Sequence, residues 1–320
     1  MTETNYRSHP NIANSDLGLF KKLGPAKYNY TKNNSVTKNT KAKDFGTLIH
    51  TLFLEEQRFN DEYTYLPIKI PDGMTSEFVR LKALYVSSGY DILDAELKAY
   101  SGIDFSYKID TVITKSQTPI YYEYYDFLLE NKDKTIVSKS DYDRSKLMFE
   151  NFKNSKYYEF FNEADVTFIE TPYYYNMNLK NGVLPAKILP DKVNIINKKD
   201  ETIVRIFDIK TAEDLHNFET TNYIKYRYHR QLAYYGKGIA HYLINTQLLF
   251  NFKIEYYILV VETEEPYSIE LMQISDEDIQ QGLIEIEEIA SELIQHLNSG
   301  IWEKIEEGNS VRKLNFFKPK

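Results

Sequence analysis

The chain has 320 residues, 42% of them hydrophobic, enough for one large domain or two small ones. It contains no cysteine, which excludes disulfides, thiol catalysis, cysteine-bound zinc and iron–sulfur clusters. The net charge of −8 argues against a polyanionic partner only as an average, because thirteen Asp or Glu and no Lys or Arg fall between Ile254 and Glu303, leaving the remainder net positive.

From Lys21 to Lys43 there are seven lysines and no acid, interleaved with Tyr28 and Tyr30, and residues 311–320 are also basic. Such runs suit a solvated face as well as a polyanion contact. No apolar run reaches the ~18 residues that a bilayer requires, and Met1 to Ile12 is polar. The sequence therefore predicts a soluble cytoplasmic protein with no membrane span and no signal peptide.

In chain order, residues 1–40 predict a polar, partly ordered arm containing a short capped helix over Ser15–Leu23 that ends at Gly24-Pro25. Asp44–Phe53 predicts a helix with Phe45, Leu48, Ile49 and Leu52 on its apolar side. A strand edge near Pro67 and helices over Ser76–Ser88 and Ile92–Tyr100 follow, then helices over Thr118–Glu130 and Lys139–Phe152. The second half changes period: Val166–Glu170, Ala186–Ile196 and Thr202–Lys210 predict strands, and Asp214–Leu243 a helical stretch broken near Thr220. Phe252–Glu262 and Tyr267–Ile274 predict strands, and Asp276–Asn298 a long amphipathic helix. The pattern is α/β, with residues 41–320 as a single domain. Residues 41–160 would form a mainly helical half, 161–300 an α/β core and 301–320 a basic tail.

Asn197–Glu201 is a polar turn between two β-branched runs. Centred between Lys199 and Asp200, it makes facing residues sum to 399, which sets Asp191 opposite Asp208 with Cβ atoms ~5 Å apart. Lys210 lies two residues on and points to the same face. Two bare carboxylates at that distance repel, and a hard divalent cation or the lysine itself must offset them. An ordinary salt bridge among the three is the simpler alternative. Gln231 and Tyr235, at i and i+4, share a face of the helix that follows, which also carries Lys225, Arg227, His229 and Arg230.

Pro190-Asp191, Asp208-Ile209-Lys210 and Gln231-x-x-x-Tyr235 together resemble the PD-(D/E)xK nuclease superfamily. Gly46-Thr47-Leu48-Ile49-His50, followed by Leu54-Glu55, is similar to the G-x-x-x-H helix of its RecB-like branch. Ser15 to Tyr28 and the run ETEEPY (Glu262–Tyr267) resemble the phage and prophage exodeoxyribonuclease VIII (RecE-like) group. The resemblance implies a restriction-endonuclease-like core, a central mixed sheet flanked by helices, with an N-terminal helical elaboration. It also implies that His50, Asp191, Asp208 and the main-chain carbonyl of Ile209 hold Mg²⁺, with Mn²⁺ as the alternative. Lys210 would act on the attacking water, and Gln231 and Tyr235 would position DNA or the lysine. Glu170 matches an acid often found at that strand end, and Lys187 would contact phosphate. Cluster-bearing relatives use four cysteines, absent here, and no G-x-x-x-x-G-K-[ST] occurs, so neither an iron–sulfur cluster nor a nucleotide cofactor is expected.

The function so implied is a metal-dependent exonuclease acting 5′-to-3′ on double-stranded DNA ends in phage-type recombination. A single-strand annealing protein and a ring-like homo-oligomer would be its partners. The alternatives are a nuclease-fold DNA-binding or structural protein without turnover, and an endonuclease of the same superfamily.

Overall fold

The computed structural model describes residues 3–34, 41–246 and 251–303. The basic tail beyond residue 303 and part of the lysine-rich stretch lie outside the described residues. The chain opens with α1 (Glu3–Ser8), α2 (Asn14–Leu23) and α3 (Pro25–Asn34). Next come α4 (Lys41–Leu54), α5 (Glu56–Glu62), β1 (Tyr63–Tyr65), α6 (Met74–Ser87), α7 (Ile92–Ser101), α8 (Ile109–Ser116), α9 (Pro119–Glu130), β2 (Thr135–Val137) and α10 (Lys139–Lys153). After α11 (Tyr157–Asn162) come β3 (Val166–Ile169), β4 (Tyr173–Leu179), β5 (Gly182–Ile188), β6 (Lys192–Asn197) and β7 (Thr202–Ala212). A π-helical turn (Phe218–Tyr223) leads to α12 (Ile224–Tyr226), α13 (Tyr228–Asn245), β8 (Phe252–Glu262), β9 (Ile269–Gln273) and α14 (Asp276–Ser299).

These elements divide into two compact units, Lys41–Lys153 on one hand and Met1–Thr40 with Asn154–Lys320 on the other. The Lys41–Lys153 unit is helical apart from the short parallel pair of β1 and β2. One of its cores gathers Phe78, Val79, Ala99, Val112 and Tyr121. The predicted strand edge near Pro67 falls two to four residues earlier, in β1.

The other unit is built on a five-stranded mixed sheet of order β3-β6-β7-β8-β9, in which only β7 and β8 run parallel. Val204 and Ile206 of β7, with Ile258 and Val260 of β8, join a core that also holds Leu232 and Ala233 of α13 and Ile286, Ile289 and Leu293 of α14. Phe207, of opposite parity, instead meets Phe160 and Phe161 of α11 and Tyr257. Burial on both faces explains why β7 and β8 read as nearly continuous apolar runs. Helices α13 and α14 approach so closely that a Cβ on Gly282 would lie 2.8 Å from the His229 carbonyl oxygen. The fold is α/β with a mixed central sheet flanked by helices, as expected.

Several sequence expectations are corrected here. The run Ala186–Ile196 is two strands in different sheets: β5 pairs with β4, β6 with β3 and β7, and Leu189-Pro190-Asp191 separates them. Pro190 has no amide hydrogen to give a ladder. In the described part of residues 1–40, Leu17, Phe20 and Tyr28 are buried in the same core as α13 and α14. Ile12 bridges to β5, donating from its amide to the Pro185 carbonyl at 2.8 Å and accepting from the Lys187 amide at 2.9 Å. Helices α8 and α11 and the β4–β5 hairpin were not anticipated. The interruption expected near Thr220 is the π-helical turn.

Candidate active site

The turn closes through the Lys198 amide donating to the Glu201 carbonyl at 2.9 Å, and β6 pairs with β7 as Lys192↔Phe207 through Asn197↔Thr202. That is the register the turn predicts. Asp191 stands one residue before the first pair, where the chain leaves the Leu189–Asp191 break. Its carboxylate reaches β7 by accepting the Ile209 amide at 2.6 Å. Asp208 and Lys210 project from the same face of β7, and Lys210 Nζ lies 2.6 Å from Asp208 Oδ2. Asp208 is 1% exposed.

The crossover from β7 to its parallel neighbour β8 carries α13 back to this end of the strand. Gln231 Nε2 donates to Asp208 Oδ1 at 3.0 Å and to Tyr235 Oη at 2.8 Å. Lysine, aspartate, glutamine and tyrosine therefore form one continuous network. Glu170, at the end of β3, has a left-handed φ of 38° and donates its amide to the Asp191 carbonyl at 3.0 Å. A non-glycine residue in that conformation is held against a local cost of ~1–3 kcal/mol, as is common where side chains are aimed at a site.

The electrostatics follow from burial first and from the neighbouring charges second. Burial pushes the Asp191 carboxyl up to about 6, with Glu170 adding to the rise and Lys210 and the Ile209 amide opposing it. Burial alone would lower Lys210, but Asp208 and Asp191 outweigh it and hold the ammonium above its ordinary value. Tyr235 is raised well above 10 by burial and then by the two aspartates, so its hydroxyl stays protonated.

Whether these residues suit a divalent cation is decided by the donor set. Among the described residues no group of three or more His, Cys, Asp or Glu is assembled to hold a metal ion. Two carboxylates that converge in a buried place, one resisting ionisation, nevertheless fit a hard cation that is completed by water and phosphate oxygens.

Lys187, on β5, is 4% exposed and donates to the main-chain carbonyls of Tyr6 at 2.8 Å and His9 at 2.7 Å. Its ammonium is occupied by the N-terminal segment and is not presented to a phosphate. His50 is half-buried on α4, in the Lys41–Lys153 unit. Glu262, in the ETEEPY run, accepts from the amides of Leu215 and Ser268 at 3.3 Å each, a loop-holding role. Sequence reasoning missed Tyr228, whose ring faces Lys210 Nζ at 5.1 Å from its centroid. Burial pushes its hydroxyl up to about 12, against the pull of Lys210. Its place three residues before Gln231, on the same helical face, was the available signal.

A strand-end acid pair, a lysine two residues on and a glutamine–tyrosine helix over a mixed sheet define a PD-(D/E)xK nuclease core. The profile of the PDDEXK-like domain of unknown function (DUF3799) matches residues 15–313, and the chain belongs to that family. No curated protein matches the chain. Among solved structures, the chain is similar to a candidate exonuclease from Eubacterium rectale at 13% identity and TM-score 0.39, over 88% of this chain and 97% of that one. It is also similar to the protein SSO0001 at 15% identity and TM-score 0.27, over 79% and 87%.

Proposed function

We propose that this protein is a Mg²⁺-dependent deoxyribonuclease that digests double-stranded DNA from its 5′ ends. The observation that supports this reading most is the Lys210–Asp208–Gln231–Tyr235 network facing Asp191. Asp191, Asp208 and the Ile209 carbonyl would hold the ion. A bound divalent cation supplies neutralisation of phosphate charge and a lowered pKa for water. Lys210 stays protonated in the metal-free site and is placed to orient the attacking water or to stabilise charge developing on the phosphate. Gln231 fixes the Asp208 carboxylate, and Tyr235 fixes Gln231. Phage-type recombination, a single-strand annealing partner and a ring-like oligomer belong to the same reading through the RecE-like resemblance.

The test is digestion of end-labelled linear duplex beside a covalently closed circle, with Mg²⁺, Mn²⁺ or EDTA. Loss of linear DNA alone, absent with EDTA and in Lys210→Ala, is the expected result, and the label gives the direction. Cutting of the circle would make the protein an endonuclease. No cutting of either DNA by folded, metal-binding protein would leave a DNA-binding protein without turnover.

A further inference from the structure

We infer that the exposed segment Ile224–Arg227 is a stacking platform for an unpaired base of the DNA strand that enters the catalytic centre, an inference that rests on the nuclease reading above. An aromatic ladder leads to it. Phe218 is fully buried, and its ring stacks on Tyr228 at 5.8 Å and 18°. Tyr228 faces the ammonium of Lys210 on one side. Tyr226 is the next rung, 5.8 Å from Tyr228 and tilted 31°, and it is 52% exposed. The ladder thus runs from the core, past the lysine that the proposed chemistry depends on, and ends in a large aromatic surface facing water. Ile224 beside it is 55% exposed.

The flanks of that rung are cationic. Lys225 Nζ lies 5.1 Å from the Tyr226 ring. Arg227 Nη1 is 3.4 Å from Glu285, but the same carboxylate also lies 3.3 Å from His229 and 3.6 Å from Arg230. One acid shared between the guanidiniums of Arg227 and Arg230 leaves the segment able to take a phosphate. Arg227 adopts the left-handed conformation, φ 56° and ψ 50°, and this sharp turn between α12 and α13 leaves residues 224–227 in solvent.

Lys-Tyr-Arg in sequence alternates charge with a π face, as a single strand alternates phosphate with base. Within a duplex the base faces are already stacked and cannot be offered to tyrosine, so the occupant is a frayed or displaced strand end. Such a strand laid on Tyr226 would have its backbone led toward Lys210.

The experiment uses the full chain in EDTA at low salt, so that binding is read without turnover. The probes are single-stranded oligonucleotides with 2-aminopurine at one position, blunt duplexes, and the same single strands as RNA. Unaltered protein should quench the single-stranded DNA probe. Tyr226→Ala should weaken that binding about fivefold or more, at the lower end of base–aromatic stacking, and Tyr226→Trp should restore it. Duplex affinity should move less than twofold. Equal affinity of Tyr226→Ala and parent, equal losses for single strand and duplex, or tighter binding of RNA would each overturn the inference. Quenching that depends on Tyr226 in a protein that cuts nothing would refute the nuclease reading and leave the platform standing.

Discussion

Strand β7 carries two clusters of acids and bases on opposite faces, and they resolve the same electrostatic problem differently. On one face Arg205 lies 2.7 Å from Glu163 and 3.3 Å from Glu255, with its guanidinium over Phe160. Its hydrogen bond holds Glu163 below the usual carboxylate range. Burial would raise Glu255, but hydrogen bonds from Lys253, Tyr257 and Arg205 bring it below that range as well. On the other face Lys210 pairs with Asp208 and also bears on Asp191, whose carboxyl burial raises to about 6. The first cluster is neutralised and structural. In the second, burial keeps one carboxyl from ionising easily, and the two aspartates outweigh burial at the lysine they share.

The contrast is broken most severely at Lys210. If the lysine acts on water, Lys210→Ala should lower kcat by about 10²–10⁴-fold while DNA binding persists, the range for one proton-handling group. A kcat within tenfold of the parent would remove Lys210 from the chemistry. Arg205→Met, on the neutralised face, should instead cost about 2 kcal/mol of stability, because Glu255 loses a partner in a largely buried place, and it should leave kcat within a few-fold. Urea unfolding beside kinetics would separate the two, and a collapse of kcat at unchanged stability would sink the distinction.

Asp191 sharpens the comparison through pH. Its folded pKa lies above the ordinary 3.8, so the folded chain prefers the proton, and this group's contribution is fully present below about pH 4 and lost as pH rises through 6. In EDTA, Asp191→Asn should therefore be more stable than the parent at pH 7, by about 1–3 kcal/mol, and equal to it near pH 4. Denaturation midpoints at the two pH values decide it, and a variant no more stable at pH 7 contradicts a carboxyl raised by burial. Activity should be lost in the same variant. The smallest effect belongs to Tyr235→Phe, which takes from Gln231 one hydrogen-bond acceptor worth about 1 kcal/mol. That predicts a roughly fivefold fall in kcat with little change in KM, and a change confined to KM would place Tyr235 on the substrate instead.

Much of this site was legible because its geometry is local. One polar turn sets the β6–β7 register, and a helical period sets Gln231 with Tyr235. What failed was non-local. Nothing in Ala186–Ile196 says that its two ends join different sheets, since both are apolar and only Pro190 hints at the break. Lys187 could not be told from a phosphate contact, because its acceptors are main-chain oxygens about 180 residues away, which have no side-chain signature. Tyr228 was hidden among neighbouring tyrosines, and only its contact with Lys210 distinguishes it.

The clasp of Lys187 on the N-terminal segment also sets a schedule. Tyr6 and Lys187 are separated by 181 positions, so at a synthesis rate of roughly 5–20 residues per second the opening helices wait about 10–40 s for the hairpin that receives them. During that interval Leu17, Phe20 and Tyr28 have no permanent core to enter, because α13 and α14 are still to be made. The Lys41–Lys153 unit, uninterrupted in sequence, is complete by then. The nascent chain thus carries the whole of that unit before the hairpin that receives its first thirty or so residues is made, and the unit that holds the candidate site is the last to be completed.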